Sequence, residues 1–282
     1  MEQNSFEVDV EKVLQSKQKD QTKRPSFLLV YILKKLVHQD EINGFLHLTK
    51  GFGGYDFFKE AIKYLKITLH IHGQENYSLD KKYIFVSNHP LGGIDGVSLG
   101  SIIGDQYGGK FRYYMNDLLL HLPNVKDIAV PINKYGLLAR DTNERIEEAL
   151  SSDSQLIMFP AGFCSRLDRF ELKDIQWKKN FIYSSKEYKR DIVPIFFKGR
   201  NSVMFYLIAK LREKLGIKMN YEVILLPHEM FANKGRSFDV YFGKPIPWQT
   251  FLDDSKTPLQ WAQYVKEEVY KIRDDNKIKK TL

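Results

Sequence analysis

The sequence predicts an α/β domain, with a mainly parallel central sheet flanked by helices and an N-terminal helical segment before it. Three observations carry this expectation. Short apolar runs at residues 83–86, 155–159 and 192–197 have the length of strands and lack polar alternation, as in a sheet covered on both faces. Segments with helical spacing alternate with them along the chain. Each run leads into a loop with polar or basic groups, the pattern expected where strand ends build a site.

Residues 1–24 are polar and charged and contain no apolar h-region, so they read as a loose leader without a signal peptide. Residues 26–37 hold Phe27, Leu28, Leu29, Val30, Tyr31, Ile32, Leu33 and Leu36, with Lys34 and Lys35 near the end. That run is too short to span a bilayer. A helix lying in a membrane interface and a helix packed on the domain both fit it. After the break at Gly51-Phe52-Gly53-Gly54, Phe57, Phe58, Ala61, Ile62 and Leu65 recur at helical spacing. Residues 1–65 thus form a leader and helical segment, and residues 66–282 the α/β domain.

Ile67, Leu69 and Ile71 alternate with Thr68, His70 and His72, as in a half-buried strand. The two histidines lack a third ligand at a supporting spacing, so they read as the strand's polar face and no metal site is expected. Residues 83–86 form the next strand. It stops at Ser87-Asn88, and His89-Pro90-Leu91-Gly92-Gly93-Ile94-Asp95 follows. Pro90 has no N–H for a strand ladder, and Gly92 and Gly93 allow a sharp turn. A helix is expected over 97–103 and a strand over 111–115. Residues 117–122 are apolar and end at Pro123. Residues 128–132 read as a strand whose Pro131 points to an edge or irregular position. Asp141, with Glu144 three residues on, predicts a helix start, and that helix runs to about residue 150.

The strand at 155–159 feeds the loop Pro160-Ala161-Gly162-Phe163-Cys164-Ser165-Arg166. A helix over 177–186, a strand over 192–197 containing Pro194, and an apolar helix over 203–215 follow. Lys210, Arg212 and Lys214 are expected on the outer part of that last helix. Residues 221–226 and 238–242 read as strands. Thr257-Pro258-Leu259-Gln260 combines a Thr cap, Pro at the first helical position and Gln at the third. It predicts a helix to about residue 274, followed by a basic tail at 277–280.

The 282 residues carry 43 Lys and Arg against 35 Asp and Glu, a net charge of +8. This balance suits an anionic partner: a membrane surface, a phosphate-bearing substrate, an acidic carrier protein or nucleic acid. Zinc-ligand spacing, an aromatic RNA motif and a recognition helix are missing, so no nucleic acid is expected. The single cysteine, Cys164, rules out a disulfide within the chain and fits a reducing setting.

His89 and Asp95 are the first candidates for chemistry. An imidazole takes a proton near neutral pH, and a carboxylate fixes its tautomer and steadies the imidazolium. A histidine at a Gly-rich turn also serves as a structural residue, and from the residues alone both readings stand. Lys134, Arg166, Lys198 and Arg200 each follow a strand and would ring one cleft with His89. Taken singly, each also reads as a solvated surface charge.

The ordered set Asn88-His89 with Asp95, then Phe159-Pro160-Ala161-Gly162, then Val193-Pro194-Ile195 resembles the glycerolipid acyltransferases. These are the enzymes related to 1-acylglycerol-3-phosphate acyltransferase, with their pattern N-H-x4-D, a basic residue after a strand, F-P-E-G-T-R and V-P. The resemblance covers residues 83–201, with an echo at Gly243-Lys244-Pro245-Ile246-Pro247. Here the first spacing is H-x5-D, the motif glutamate is Ala161, its arginine is Cys164, and the basic residue of the second motif is Lys134. These departures resemble a hemolysin-like subgroup that includes the O-acyltransferases finishing ornithine and glycine lipids. Its N-H-P-x-G-x-x-D-G and F-P-A-G-x-x-S-R are both present, at 88–96 and 159–166.

The resemblance implies His89 as general base on an acceptor hydroxyl, with Asp95 orienting it. It implies Asn88, Gly93, Lys134, Phe159, Pro160, Gly162, Ser165, Arg166 and Arg200 as substrate-binding positions. The acyl group would come from an acyl carrier protein or coenzyme A thioester and go directly to a lyso-lipid. No acyl-enzyme, metal or further cofactor is implied. Backbone N–H groups near Gly162 would meet the oxyanion, and Arg166 with Lys134 an acceptor carboxylate or a phosphopantetheine phosphate. The expected setting is cytoplasmic and peripheral, on the inner face of the membrane. A lyso-aminolipid acceptor is favoured over lysophosphatidic acid. A hydrolase using Cys164 and a non-catalytic membrane scaffold are the alternatives.

Overall fold

A computed structural model describes residues 7–16, 25–115, 119, 122–131, 146–168, 171–217 and 220–276. Nine strands are described: β1 (Thr68–His72), β2 (Tyr83–Ser87), β3 (Phe111–Met115), β4 (Ala129–Pro131), β5 (Gln155–Met158), β6 (Arg166–Asp168), β7 (Glu171–Lys173), β8 (Asp191–Lys198) and β9 (Ser237–Phe242). Seven of them form the central sheet in the order β1-β9-β8-β2-β5-β3-β4. All neighbours are parallel except β8 and β9. The mainly parallel sheet is therefore as expected, and β4 with Pro131 is an edge strand. β6 and β7 pair separately as a small antiparallel ribbon.

The helices are α1 (Val10–Ser16), α2 (Phe27–Leu36), α3 (Gln39–Leu48), α4 (Gly54–Tyr64), α5 (Ile94–Gln106), α6 (146–151), α7 (Asn180–Tyr188), α8 (Val203–Lys214), α9 (Leu226–Ala232) and α10 (Pro258–Asp275). They cover both faces of the sheet, and the strands show why. All five residues of β2 are buried. Tyr83 and Phe85 enter the core shared with α4 and α5, whereas Ile84 and Val86 enter the core shared with α7 and α10. β8 repeats the division, with Val193, Ile195 and Phe197 on one side and Ile192 and Phe196 on the other. Such strands need apolar groups at every position, which is the pattern read in the sequence.

Pro194 is tolerated inside β8 because the ladder to β9 begins only at Ile195, paired with Phe242. Before that, Ile192 bridges Ile246, and Gly243 donates its N–H to the Pro194 carbonyl. The capping box at Thr257 is present: the Gln260 N–H donates to Thr257 Oγ1 at 3.3 Å, and the Thr257 N–H donates to Gln260 Oε1 at 2.8 Å.

Several expectations are corrected. Residues 10–16 of the leader are helical, and this segment is held by the Val8 and Val10 N–H groups donating to Asn43 Oδ1 and Gln39 Oε1. Residues 221–225 form a 3-10 helix leading into α9 rather than a strand. The cause is Glu222, which is wholly buried between Arg166 and Arg212 and could not face a second sheet neighbour. Arg212 therefore points inward and is not on the outer part of α8. Helix α5 starts at Ile94, earlier than read, and so takes Asp95 into its first turn. Helix α7 starts at Asn180 and not at Trp177, which is fully buried beneath it. The expected helix start at Asp141 and Glu144 lies outside the described residues, as does Lys134.

Candidate active site

The carboxyl ends of β2, β5 and β8 lie side by side in the sheet. His89 emerges two residues after β2, and Phe159 immediately after β5. The His89 ring stacks on Phe159 with centroids 3.9 Å apart and planes 19° from parallel. Nδ1 of His89 lies 3.1 Å from Oδ2 of Asp95, an ion-pair distance not aligned as a hydrogen bond. Among the described residues Nε2 has no hydrogen-bond partner, so it is the nitrogen left for a ligand.

Asp95 is fully buried. Its Oδ2 accepts the N–H groups of Leu91 at 2.9 Å and Gly92 at 3.3 Å, and its Oδ1 accepts that of Gly96 at 2.9 Å. A carboxylate in the first turn also complements the partial positive charge of the α5 N-terminus. The turn that brings these donors together needs Gly92 at a φ of +78°. A Cβ there would also meet Cys164 Sγ at 2.8 Å and Leu226 Cδ2 at 2.9 Å.

Burial of His89 works against its protonated form. The charge and contact of Asp95, with a smaller push from Asp174, outweigh that, and the pKa of His89 stands above its ordinary value. The arrangement can therefore accept a proton at Nε2 and hold the resulting imidazolium against Asp95.

Asp174 carries no local signature in the sequence, and sequence reasoning missed it. The β6–β7 ribbon delivers it, buried, beneath the His89 loop. Its Oδ1 accepts the Ser165 hydroxyl at 2.6 Å and the His89 N–H at 3.2 Å, and its Oδ2 accepts Trp177 Nε1 at 2.8 Å. Burial raises its pKa, and these three donors oppose the rise without cancelling it. The Ser165 N–H donates to the His89 carbonyl at 2.8 Å. Ser165 thus ties the two motif loops together and is itself buried. Asn88 does similar work, with Nδ2 donating to the Phe197 carbonyl and Oδ1 accepting the Phe197 N–H.

A cavity of about 390 Å³ opens beside His89. Its wall is apolar: Phe45 and Phe58 from α3 and α4, Met230 and Phe231 from α9, and Tyr113 and Phe159 from the sheet. Gly92, Gly93 and Gly96 also line it. A Cβ on Gly93 would approach Met230 Sδ to 2.7 Å, so the missing side chain keeps the space open.

The remaining candidates divide. Pro160 and Gly162 lie in the wall of a second cavity, which Phe159 and Gly162 share with the first. The Gly162 N–H, expected to face an oxyanion, donates instead to the Phe159 carbonyl at 3.0 Å. Arg166 pairs with buried Glu222 at 2.6 Å and also donates to the Cys164 carbonyl. Lys198 pairs with Asp239 at 3.2 Å, and exposed Arg200 lines neither cavity. The expected ring of cations around His89 does not form among the described residues. Cys164 is buried, and desolvation first of all drives its thiol pKa far up, so no thiolate is available for a hydrolase. His72 stacks on Tyr241 and lies 3.2 Å from Asp239, and no metal-binding cluster occurs among the described residues.

Gly92→Ala is expected to cost about 1–3 kcal/mol, from a strained φ and overpacking together. Thermal denaturation reads this as a lower midpoint, and a variant as stable as wild type would contradict the tight turn.

A family model described as Acyltransferase matches residues 12–280. A Bacteroides thetaiotaomicron protein named lyso-glycine lipid O-acyltransferase is 50% identical over 268 residues, spanning 95% of this chain and 98% of that protein. A Phocaeicola vulgatus protein of the same name is 47% identical over 268 residues, spanning 95% of each. The crystal structure of the 1-acyl-sn-glycerophosphate (LPA) acyltransferase PlsC from Thermotoga maritima shares the fold. Its TM-score is 0.51 at 16% identity, covering 95% of this chain and 87% of that one. Matched over nearly all of its length, the chain is an acyltransferase and belongs to the acyltransferase family.

Proposed function

We propose that this enzyme moves a fatty acyl group from a thioester donor to the hydroxyl of a lyso-aminolipid of the glycine type, with His89 as general base. One observation carries the reading: His89 turns one nitrogen to a buried carboxylate and lines a mainly apolar cavity. The names of the two relatives support the acceptor class. The apolar wall supports an acyl chain as occupant, each buried methylene contributing about 0.8 kcal/mol.

In the proposed reaction Nε2 takes the proton of the acceptor hydroxyl as its oxygen attacks the thioester carbonyl. The tetrahedral intermediate collapses with cleavage of the C–S bond. The leaving thiolate recovers the proton from the imidazolium, which Asp95 steadies throughout. Ester and free thiol are the products, and neither metal nor further cofactor takes part. The donor is acyl carrier protein or coenzyme A, both anionic, and the chain's +8 charge complements either. Lysophosphatidic acid is the weaker acceptor reading, because Ala161 and Cys164 replace the motif's charged residues and both are buried.

A lipid acceptor places the work at a membrane surface. On α2, Phe27, Leu28, Tyr31 and Ile32 are exposed, and on α8, Val203, Met204, Leu207 and Leu211 form a second exposed stripe. Leu36 at the end of α2 packs against the same small cluster as Phe205 and Tyr206 of α8. Val223, in the 3-10 helix that contacts α8, is exposed and also lines the cavity. Lys34, Lys35, Lys210 and Lys214 lie among these apolar residues in the sequence, as expected for an anionic interface. No described helix is long and apolar enough to cross a membrane.

Two experiments test the proposal. Labelled acyl donor should be transferred to lyso-glycine lipid by wild type, and His89→Ala should lower turnover by roughly a hundredfold or more. A folded His89→Ala protein of near-normal rate would sink the general-base assignment. The double variant Leu207→Asp/Leu211→Asp should co-sediment less with anionic vesicles, and undiminished binding counts against α8 as part of the membrane face.

A further inference from the structure

The second cavity has a volume of about 420 Å³ and shares Tyr114, Phe159 and Gly162 with the acyl cavity. The two spaces thus meet at the ring on which His89 stacks. A transfer between two lipids needs two such lobes converging on one base. The first lobe is lined mainly by apolar side chains, whereas the second carries three charged ones, Lys178, Glu147 and Glu187.

The cation among them is Lys178, an exposed residue. It is the only Lys or Arg among the described residues in the wall of either cavity. Its backbone N–H donates to the Pro160 carbonyl at 3.0 Å, which fixes it to the Phe159–Gly162 turn. Its Nζ comes so near Gly162 that a Cβ there would lie 3.2 Å from it. Among the described residues no carboxylate pairs with Lys178, although Arg166 and Lys198 both have acidic partners.

The cavity is also polarised. Lys178 and Asn180 mark one pole, where the N-terminal end of α7 adds partial positive charge. The cavity's acids, Glu147 and Glu187, both act on Tyr188 at the far end of α7. At a rise of about 1.5 Å per residue, the seven steps from Asn180 to Glu187 put roughly 10 Å between the poles. An anion entering beside Gly162 therefore meets Lys178 first, and the hydrocarbon behind it meets Ile146, Leu150, Met158 and Phe181.

We propose that this cavity is the acceptor lobe and that Lys178 binds the acceptor's headgroup carboxylate, setting the preference for an acidic lyso-aminolipid. The inference rests on the acceptor class proposed above. A glycine joined to its lipid through nitrogen presents a free carboxylate, the partner an ammonium group recognises.

The test compares lyso-glycine lipid with its methyl ester as acceptors for wild type, Lys178→Gln and Lys178→Arg, with the fold checked by thermal midpoint. Wild type should prefer the acid. Lys178→Gln should raise KM for the acid by about tenfold or more, with a smaller change in kcat, and lose the distinction between acid and ester. Lys178→Arg should retain the preference. If Lys178→Gln discriminates acid from ester as wild type does, the site is wrong while the proposed function stands. If wild type acylates neither compound, the proposed function falls and takes this site with it.

Discussion

The buried carboxylate of Asp95 is the constraint on which the site depends. Three backbone N–H groups from one turn of chain converge on it, and the His89 ring completes its surroundings. Removing that charge would leave three donors without their acceptor and an imidazole with nothing to hold its tautomer. The extra residue in the H-x5-D spacing fits this geometry. Asp95 stands inside the first turn of α5, and the glycine turn folds back so that its N–H groups reach the same oxygen atoms. Gly92 is required both for its positive φ and for the close approach of Cys164 and Leu226.

The motif residues separate into those that face the cavities and those that hold the loops in register. His89, Gly93, Phe159, Pro160 and Gly162 belong to the first group. Asn88, Ser165 and Arg166 belong to the second, and each uses its polar atoms on neighbouring chain. Asp174 joins them from outside any motif, linking Ser165, Trp177 and the His89 backbone beneath the His89 loop. A stacked ring, a buried acid and an anchored backbone leave His89 little rotational freedom. Such preorganisation is what base catalysis on a weakly acidic hydroxyl demands.

The sheet was legible because its inner strands are buried on both faces, so an unbroken apolar run is their signature. The His89 turn was legible because Pro90, Gly92 and Gly93 punctuate it. Residues 221–225 misled because Tyr-Glu-Val-Ile-Leu has strand composition, whereas Glu222 is drawn into an ion cluster by Arg212 on the preceding helix and by Arg166, far away in the sequence. The same pairing turns the Arg166 guanidinium to Glu222, which no local pattern could reveal. Asp174 and Lys178 were overlooked for a related reason: both acquire their roles only when the ribbon and the α7 connection fold against the motif loop.

The most direct measurement is an NMR titration of the His89 imidazole, assigned by difference from His89→Gln, in wild type and in Asp95→Asn. Asp95 favours the imidazolium and burial disfavours it, so the account predicts a wild-type pKa above about 6.5. Replacing Asp95 by asparagine leaves burial less opposed, and the value should then fall. A wild-type pKa below the ordinary histidine value, or one that Asp95→Asn leaves unchanged, would contradict the claim that this buried carboxylate makes His89 a base.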